Sequence, residues 1–211
     1  MIEIRDKILE AALRVFAETG YRGATTRRIA QAAEVNEVTI FRHFGSKEEL
    51  IRAAILHDSG GVQVHLPEVP ERPYAELSQW ARDHYRLLQL RAPMIRTCLS
   101  ESNEHPDLTG SMSEGPVRVG AELRRYFQQL GGPGRVNGAV DIKAAAGSLM
   151  SLLFTDAITR PLMPQLYDDS AEEAPVRYAE FVLRALGVPP EEGYGREGER
   201  TRVRKLRGTI G

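Results

Sequence analysis

One cysteine, Cys98, in a chain of 211 residues excludes a disulfide framework and any metal site built from several thiolates, and such usage is that of a reducing compartment. No apolar run approaches the roughly 20 residues that a helix needs to cross a bilayer. The N-terminal MIEIRDKILEAALRVF carries charges through its apolar positions, where a secretion signal would keep an unbroken hydrophobic core. A cytoplasmic location without membrane contact is therefore expected. An excess of charge of one sign is also lacking: 28 Lys and Arg against 29 Asp and Glu leave a net charge of -1. Any polyanion must then be met by local placement of charge.

Catalytic signatures are missing too. The histidines His43, His57, His65, His84 and His105 form no HxxxH pair with a glutamate nearby, so a zinc hydrolase is unsupported. Gly110-Ser111-Met112-Ser113-Glu114-Gly115 has the wrong spacing for a nucleophile elbow, and no strand pattern precedes it. There is no phosphate-binding glycine loop and no repeat of roughly 20 to 50 residues. No catalytic residue, metal or cofactor is expected, and the chain does not read as an enzyme.

What is present is helical periodicity, 42% hydrophobic residues set among charged ones, in a length that permits one domain or two small ones. Ile8, Ala11, Ala12, Val15 and Phe16 make the apolar face of a first helix over Ile4 to Thr19, stopped by Gly20. Thr25 or Thr26 caps a short second helix, Arg27 to Ala33, with Ile29, Ala30 and Ala33 inward. After the turn Glu34-Val35-Asn36, the segment Glu37 to Phe44 is rich in residues that favour strands. A lone short strand would be unstable, so a helix capped by Asn36 is expected.

Ser46 with Glu49 forms a capping box for a fourth helix running to about Asp58. Ser59 to Pro73 reads as a linker. A fifth helix through Tyr74, Trp80 and Leu88 should break near Pro93, with a sixth over Met94 to Leu99 and a polar loop over Asn103 to Gly115. Val117 to Leu130 is amphipathic and ends at Gly131-Gly132-Pro133-Gly134. Asp141 to Thr159 is apolar on overlapping faces and should be buried on more than one side. Glu172 to Leu186 closes the fold before Gly187 and Pro189. The expectation is an all-α protein of about nine helices. It divides into a three-helix helix-turn-helix domain (1–46), a helical ligand-binding and dimerisation domain (47–190), and a basic tail (191–211) carrying Arg196, Arg200, Arg202, Arg204, Lys205 and Arg207.

Residues 8 to 50 resemble the DNA-binding region of the TetR family of bacterial regulators. The likeness is carried without gaps by Ala12, Phe16, Gly20, Tyr21, Thr25, Thr26, Ile29, Ala30, Ala33, Val35, Ile40, Phe41, His43, Phe44, Lys47, Glu49 and Leu50. Two positions depart from it: Glu34 stands where glycine is usual, and Phe41 where tyrosine is common. A non-glycine residue at Glu34 strains the turn by roughly 1 kcal/mol if it is left-handed. The resemblance implies a regulator of double-stranded operator DNA, most often a repressor released by a small molecule. A ligand-dependent activator, and a helical small-molecule binder with weak or lost DNA affinity, are the alternatives.

In a helix-turn-helix the second helix enters the major groove and its outward side chains read base edges. Val35, Ile40 and Phe44 are needed inside, which leaves Asn36, Glu37, Val38, Thr39, Arg42 and His43 as contact candidates. Thr39 offers a methyl and a hydroxyl to bases, Glu37 can accept from cytosine N4, and Arg42 and His43 suit phosphate. The resemblance adds phosphate contacts at Thr26, Arg27, Arg28 and Lys47, with Thr25 and Phe41 beside them. It also implies a pocket among the middle helices, for which Trp80, His84, Met94, Cys98, Tyr126, Met150 and Phe154 are the candidates. Their bulk and polarisability suit a hydrophobic or aromatic effector. The last two helices are expected to form a homodimer, which demands a near-palindromic operator.

Overall fold

The computed structural model describes residues 3–60, 64–130, 141–168, 170–192 and 194. Among these it is helical without strands: α1 (Ile4–Gly23), α2 (Thr26–Ala33), α3 (Glu37–Phe44), α4 (Lys47–Gly60), α5 (Pro73–Glu101), α6 (Pro106–Met112), α7 (Glu114–Leu130), α8 (Ile142–Thr159) and α9 (Ala174–Ala185), with a single 3-10 turn at Pro164–Leu166. None of these helices is long and apolar enough to cross a membrane. The glycine stretch 131–134 and the basic tail from Arg196 to Arg207 lie outside the described residues.

The head is built as the apolar spacing demands. Ile8, Ala12 and Phe16 of α1 meet Ile29 and Ala33 of α2, Ile40 of α3, and Leu50 and Ile51 of α4 in one buried cluster. The strand-prone residues of α3 do form a helix: the Asn36 Oδ1 accepts from the Val38 N–H at 2.9 Å, and Ile40 is fully buried. The cap and the burial together outweigh a propensity scale worth about 1 kcal/mol. Helical geometry in α1 is interrupted at Gly20, with φ 69° and ψ 179°, a conformation that favours glycine. A Cβ there would sit 2.9 Å from the Glu101 carboxylate, so the same position serves a turn and a close approach by α5.

Two expectations are corrected. Pro93 does not end a helix; α5 continues through it for 29 residues. Pro93 and Gln89, the residue whose carbonyl loses its helical partner, are both exposed, so water can replace the missing bond. Ala92, Met94, Ile95 and Cys98 are buried on the other face. The polar stretch 103–115 is largely helical as well. Pro106 starts α6 at a position where its missing N–H costs nothing, Leu108 anchors it in the head core, and α7 begins at Glu114.

The body packs around α5. Tyr74, Leu77, Trp80, Ala81 and Tyr85 meet Leu123 and Phe127 of α7, Leu149 and Leu153 of α8, and Val182 and Leu183 of α9. The half-buried Leu88 touches both cores. Helix α8 is buried on less of its circumference than its composition suggests. Ala145, Ala146, Leu149, Leu153 and Ala157 face inward, whereas Ala144, Gly147, Ser148, Ser151 and Thr155 are exposed.

A buried polar network ties α5, α8 and α9. The Asp156 carboxylate accepts from Arg160 Nε and Nη2, both at 2.6 Å, from the Tyr85 hydroxyl at 2.8 Å and from the Tyr178 hydroxyl at 2.6 Å. Burial alone would push this carboxyl up, but the bonds from Arg160, Tyr178 and Tyr85 outweigh it and hold the pKa below the ordinary 3.8. Asp156→Ala removes the buried acceptor shared by Arg160, Tyr85 and Tyr178 and is expected to cost about 3 kcal/mol in urea unfolding at neutral pH. Because the folded-state value is depressed, this stabilisation is complete above the unfolded value and fades as pH falls through it. The gap between wild type and Asp156→Ala should therefore narrow below pH 3.8; a gap that widens there contradicts the network's charge state.

Candidate DNA-binding face and ligand cavity

Helices α2 and α3 make a bihelical unit around the turn Glu34-Val35-Asn36. Glu34 is left-handed at φ 55° and ψ 43°, as the missing glycine suggested. Its N–H donates to the Gln31 carbonyl at 3.2 Å, that of Val35 to Ala30 at 3.0 Å, and its carboxylate takes an ion pair from Lys7 at 2.8 Å. The tight turn therefore forms without glycine, at the cost of an unfavourable backbone conformation.

Among the expected DNA-contacting residues, Arg27, Arg28, Val38, Phe41, Arg42 and His43 are exposed, and Thr39 is half-buried. Val38, at 71% exposure, is an apolar side chain standing at the surface of α3. Thr25 is exposed but caps α2, accepting from the Arg28 N–H at 3.2 Å. The Asn36 side chain is likewise engaged in its cap.

Three residues are occupied in ways the sequence did not reveal. The Thr26 hydroxyl donates to the Glu37 carboxylate, so the acid expected to face DNA is instead bonded between α2 and α3. Lys47 turns inward, donating to the Tyr21 carbonyl with its ammonium 4.1 Å from the centre of the Tyr21 ring. Burial pulls its pKa down, and Glu101 partly restores it. Lys47 thus couples the start of α4 to the end of α1, and α5 joins at the same place: the Tyr21 N–H donates to Glu101 at 3.0 Å, and the Thr97 hydroxyl to the Ala17 carbonyl at 3.2 Å.

A cavity of about 370 Å³ opens between the end of α4, the middle of α5, α7 and α8. Its walls include His84, Leu87, Leu88, Met94, Ile95, Met112, Val119, Met150 and Phe154. The candidates His84, Met94, Met150 and Phe154 thus line it. Trp80, Cys98 and Tyr126 are buried outside it. Trp80 stacks on His84 with ring centres 4.8 Å apart and donates to the Val64 carbonyl. Cys98 packs on Met94, its thiol pushed up to about 12 by burial and by Glu101, which leaves it inert. The Tyr126 hydroxyl is spent on Glu76 at 2.7 Å.

The charged wall was missed. Arg91, Asp58, Arg118 and Glu122 also line the cavity. Arg91 had a signal: it lies on the same helical stripe as His84, Leu87, Leu88, Met94 and Ile95, and a charge on an apolar stripe is unusual. A helix ended at Pro93 cuts that stripe in two. Arg91 Nε lies 2.9 Å from Asp58 Oδ2, off the line of a hydrogen bond, while Nη2 donates to the Asp58 backbone carbonyl at 2.6 Å.

The structure thus joins a bihelical head, whose second helix exposes Val38, Phe41, Arg42 and His43, to a helical body that holds a cavity. Residues 8–54 match the family model for bacterial regulatory proteins of the tetR family. Over 148 residues the chain is 28% identical to the uncharacterized HTH-type transcriptional regulator YvkB of Bacillus subtilis, covering 70% of this chain and 78% of YvkB. Over 141 residues it is 31% identical to the HTH-type transcriptional repressor NicS of Pseudomonas putida, covering 64% of each chain. The crystal structure of a TetR transcriptional regulator from Agrobacterium tumefaciens superposes with a TM-score of 0.69 at 20% identity, over 86% of this chain and 92% of that one, which establishes the shared fold. Residues 8–54 thus carry a helix-turn-helix region of the tetR type, and the chain shares the fold of TetR-family transcriptional regulators.

Replacing Glu34 by Gly removes the left-handed strain and forfeits only an exposed ion pair of small worth. Glu34→Gly is expected to raise Tm by about 2–4 °C, as a gain near 1 kcal/mol does in a chain of this size. An unchanged or lower Tm in calorimetry would assign the turn's stability to Lys7.

Proposed function

We propose that the protein is a homodimeric repressor, working in the cytoplasm on a near-palindromic operator that it leaves when a small apolar molecule enters the cavity. Within it, residues 1–46 serve DNA and 47–190 serve the effector and the partner subunit. The observation that carries this reading is the row of exposed Val38, Arg42 and His43 and half-buried Thr39 on α3, beside Arg27 and Arg28 at the start of α2. Thymine methyls suit Val38 and the Thr39 methyl, and the arginines suit flanking phosphates. Helix α4 supports the switching part: its Leu50, Ile51, Ala54 and Ile55 are buried in the head core, and its Asp58 is on the cavity wall. A ligand that binds one position of α4 better than another would shift the head.

The second subunit is supported by an uncovered face. The small side chains Ala144, Gly147, Ser148, Ser151 and Thr155 of α8 allow close helix approach. Leu162, Met163 and Leu166 beyond α8 and Phe181 of α9 are between 40% and 64% exposed. Such apolar surface marks an interface. The reading of a head with weakened DNA affinity is favoured by the engagement of Thr26 with Glu37 and of Lys47 with Tyr21.

Selection of bound sequences from a random DNA pool at physiological salt separates the two. An enriched inverted repeat supports the repressor, whereas no enrichment favours the weakened head. On the selected site, Thr39→Ala should cost about 1–3 kcal/mol in specific binding with non-specific binding intact. Equal loss on every sequence refutes base reading by Thr39. Phe181→Asp should convert the dimer to monomers in sedimentation at micromolar concentration and weaken operator binding. A variant that remains dimeric moves the interface elsewhere.

A further inference from the structure

The apolar cavity carries four charged residues on its wall, Asp58, Arg91, Arg118 and Glu122; Arg118 is exposed while Arg91 is half-buried, and the two halves of the Arg91–Asp58 pair are held unequally. Arg91 is fixed: it projects from the middle of α5, and Nη2 donates to the Asp58 backbone carbonyl at the end of α4, where the helix terminus favours a cation. The Asp58 side chain is ion-paired with Arg91 but has less to hold it. Its Oδ2 is buried without a hydrogen bond, although Arg91 Nε lies 2.9 Å away. Burial raises the Asp58 pKa in spite of Arg91 and His57, so this carboxylate is poorly solvated where it sits and gains by moving to water. Asp58 also stands near the end of α4, two residues before Gly60.

The remaining polar groups point the same way. Glu122 is committed, accepting from the Leu66 N–H at 2.7 Å and lying 3.5 Å from His65 Nδ1. His84, pushed down to about 4 by burial and by the charge of Arg91, is neutral and offers a hydrogen bond rather than a charge. Met94, Met112 and Met150 supply polarisable, adaptable walls that suit a flat ring. The volume of about 370 Å³ lies at the small end of ligand pockets.

We infer that the cavity binds a compact, apolar organic acid, an aromatic carboxylate, whose carboxylate takes the place of Asp58 on Arg91. Exchange of one carboxylate for another keeps the guanidinium paired throughout, so the acid enters without stranding a buried charge. A neutral ligand leaves Asp58 in place, and an ammonium ligand meets Arg91 as a like charge.

The inference rests on the cavity being the effector site of the proposed repressor, and it is tested on the full-length protein with three probes of one skeleton: 2-naphthoate, 2-naphthamide and 2-naphthylmethylammonium, titrated by calorimetry at neutral pH. Naphthoate should bind at least about 10-fold tighter than the amide, the margin of one charge-assisted hydrogen bond, and the ammonium least. Arg91→Met should remove that preference while leaving amide binding within about two-fold, and Asp58→Asn, which weakens the internal competitor, should tighten naphthoate. Tightest binding by the ammonium, equal binding of all three, binding of none at millimolar concentration, or an indifferent Arg91→Met overturns the assignment. If Arg91→Met does not fold, the probe ranking and Asp58→Asn decide. Binding of the protein to its selected DNA, measured on the same samples, keeps the two readings apart. Acid selectivity without DNA binding would sink the repressor alone, and DNA binding with an indifferent cavity would sink the acid alone.

Discussion

Both cores depend on α5 keeping one register through Pro93. The helix gives Tyr74, Leu77, Trp80, Ala81 and Tyr85 to the body core and Ala92, Met94, Ile95 and Cys98 to the head core. A break at Pro93 would uncouple the two sets. What prevents it is unequal burial around the helix. Pro93 and Gln89, whose carbonyl it deprives, are exposed residues, while Ala92, Met94 and Ile95 beside the proline are buried. A proline inside a helix costs roughly 3 kcal/mol, and burying two or three large side chains offsets that at about 1.5–3 kcal/mol each.

From that continuity follows the way the head is held. Its joint to the body is not a flexible hinge between separate units, because apolar residues of α5, α6 and α8 lie within the head core itself. Polar bonds then fix the orientation. Glu101 takes the Tyr21 N–H beside Gly20, Thr97 takes the Ala17 carbonyl, and Lys47 closes α4 onto Tyr21. A head fastened in this way moves only if a fastening helix moves with it. Helices α4 and α5 both fasten the head and line the cavity, α4 through Asp58 at its far end.

Much of this was legible in the sequence, for a physical reason. Helix periodicity in α1, α2, α7 and α9, and the caps at Thr25, Asn36 and Ser46, are local signals, and each appears in the structure as an inward face or a bonded cap. The failures come where a distant contact overrules a local cost. Pro93 and the polar run around Leu108 are outvoted by burial that no window of neighbouring residues contains. The same limit hid the engagement of Thr26 by Glu37 and of Lys47 by Tyr21. Sequence places these groups near DNA, but only packing decides which way they turn. Arg91 is the intermediate case, since its place on an apolar stripe was readable once α5 was continuous.

Among the described residues, two arginine–aspartate pairs lie away from open solvent, and comparing them separates scaffold from switch. Asp156 has both oxygens occupied, by Arg160, Tyr85 and Tyr178, on a helix enclosed by α5 and α9. Asp58 has one oxygen buried without a bond, on a helix end. In a low-dielectric interior, a fully bonded network rigidifies, while a half-bonded one is paid for elsewhere in the fold. The difference shows in the carboxyls themselves: bonding holds Asp156 below the ordinary value, and burial carries Asp58 above it. A pair of the first kind sets the geometry of the body. One of the second kind persists where a better partner for the cation can arrive, and Arg91 lines the cavity where such a partner would bind.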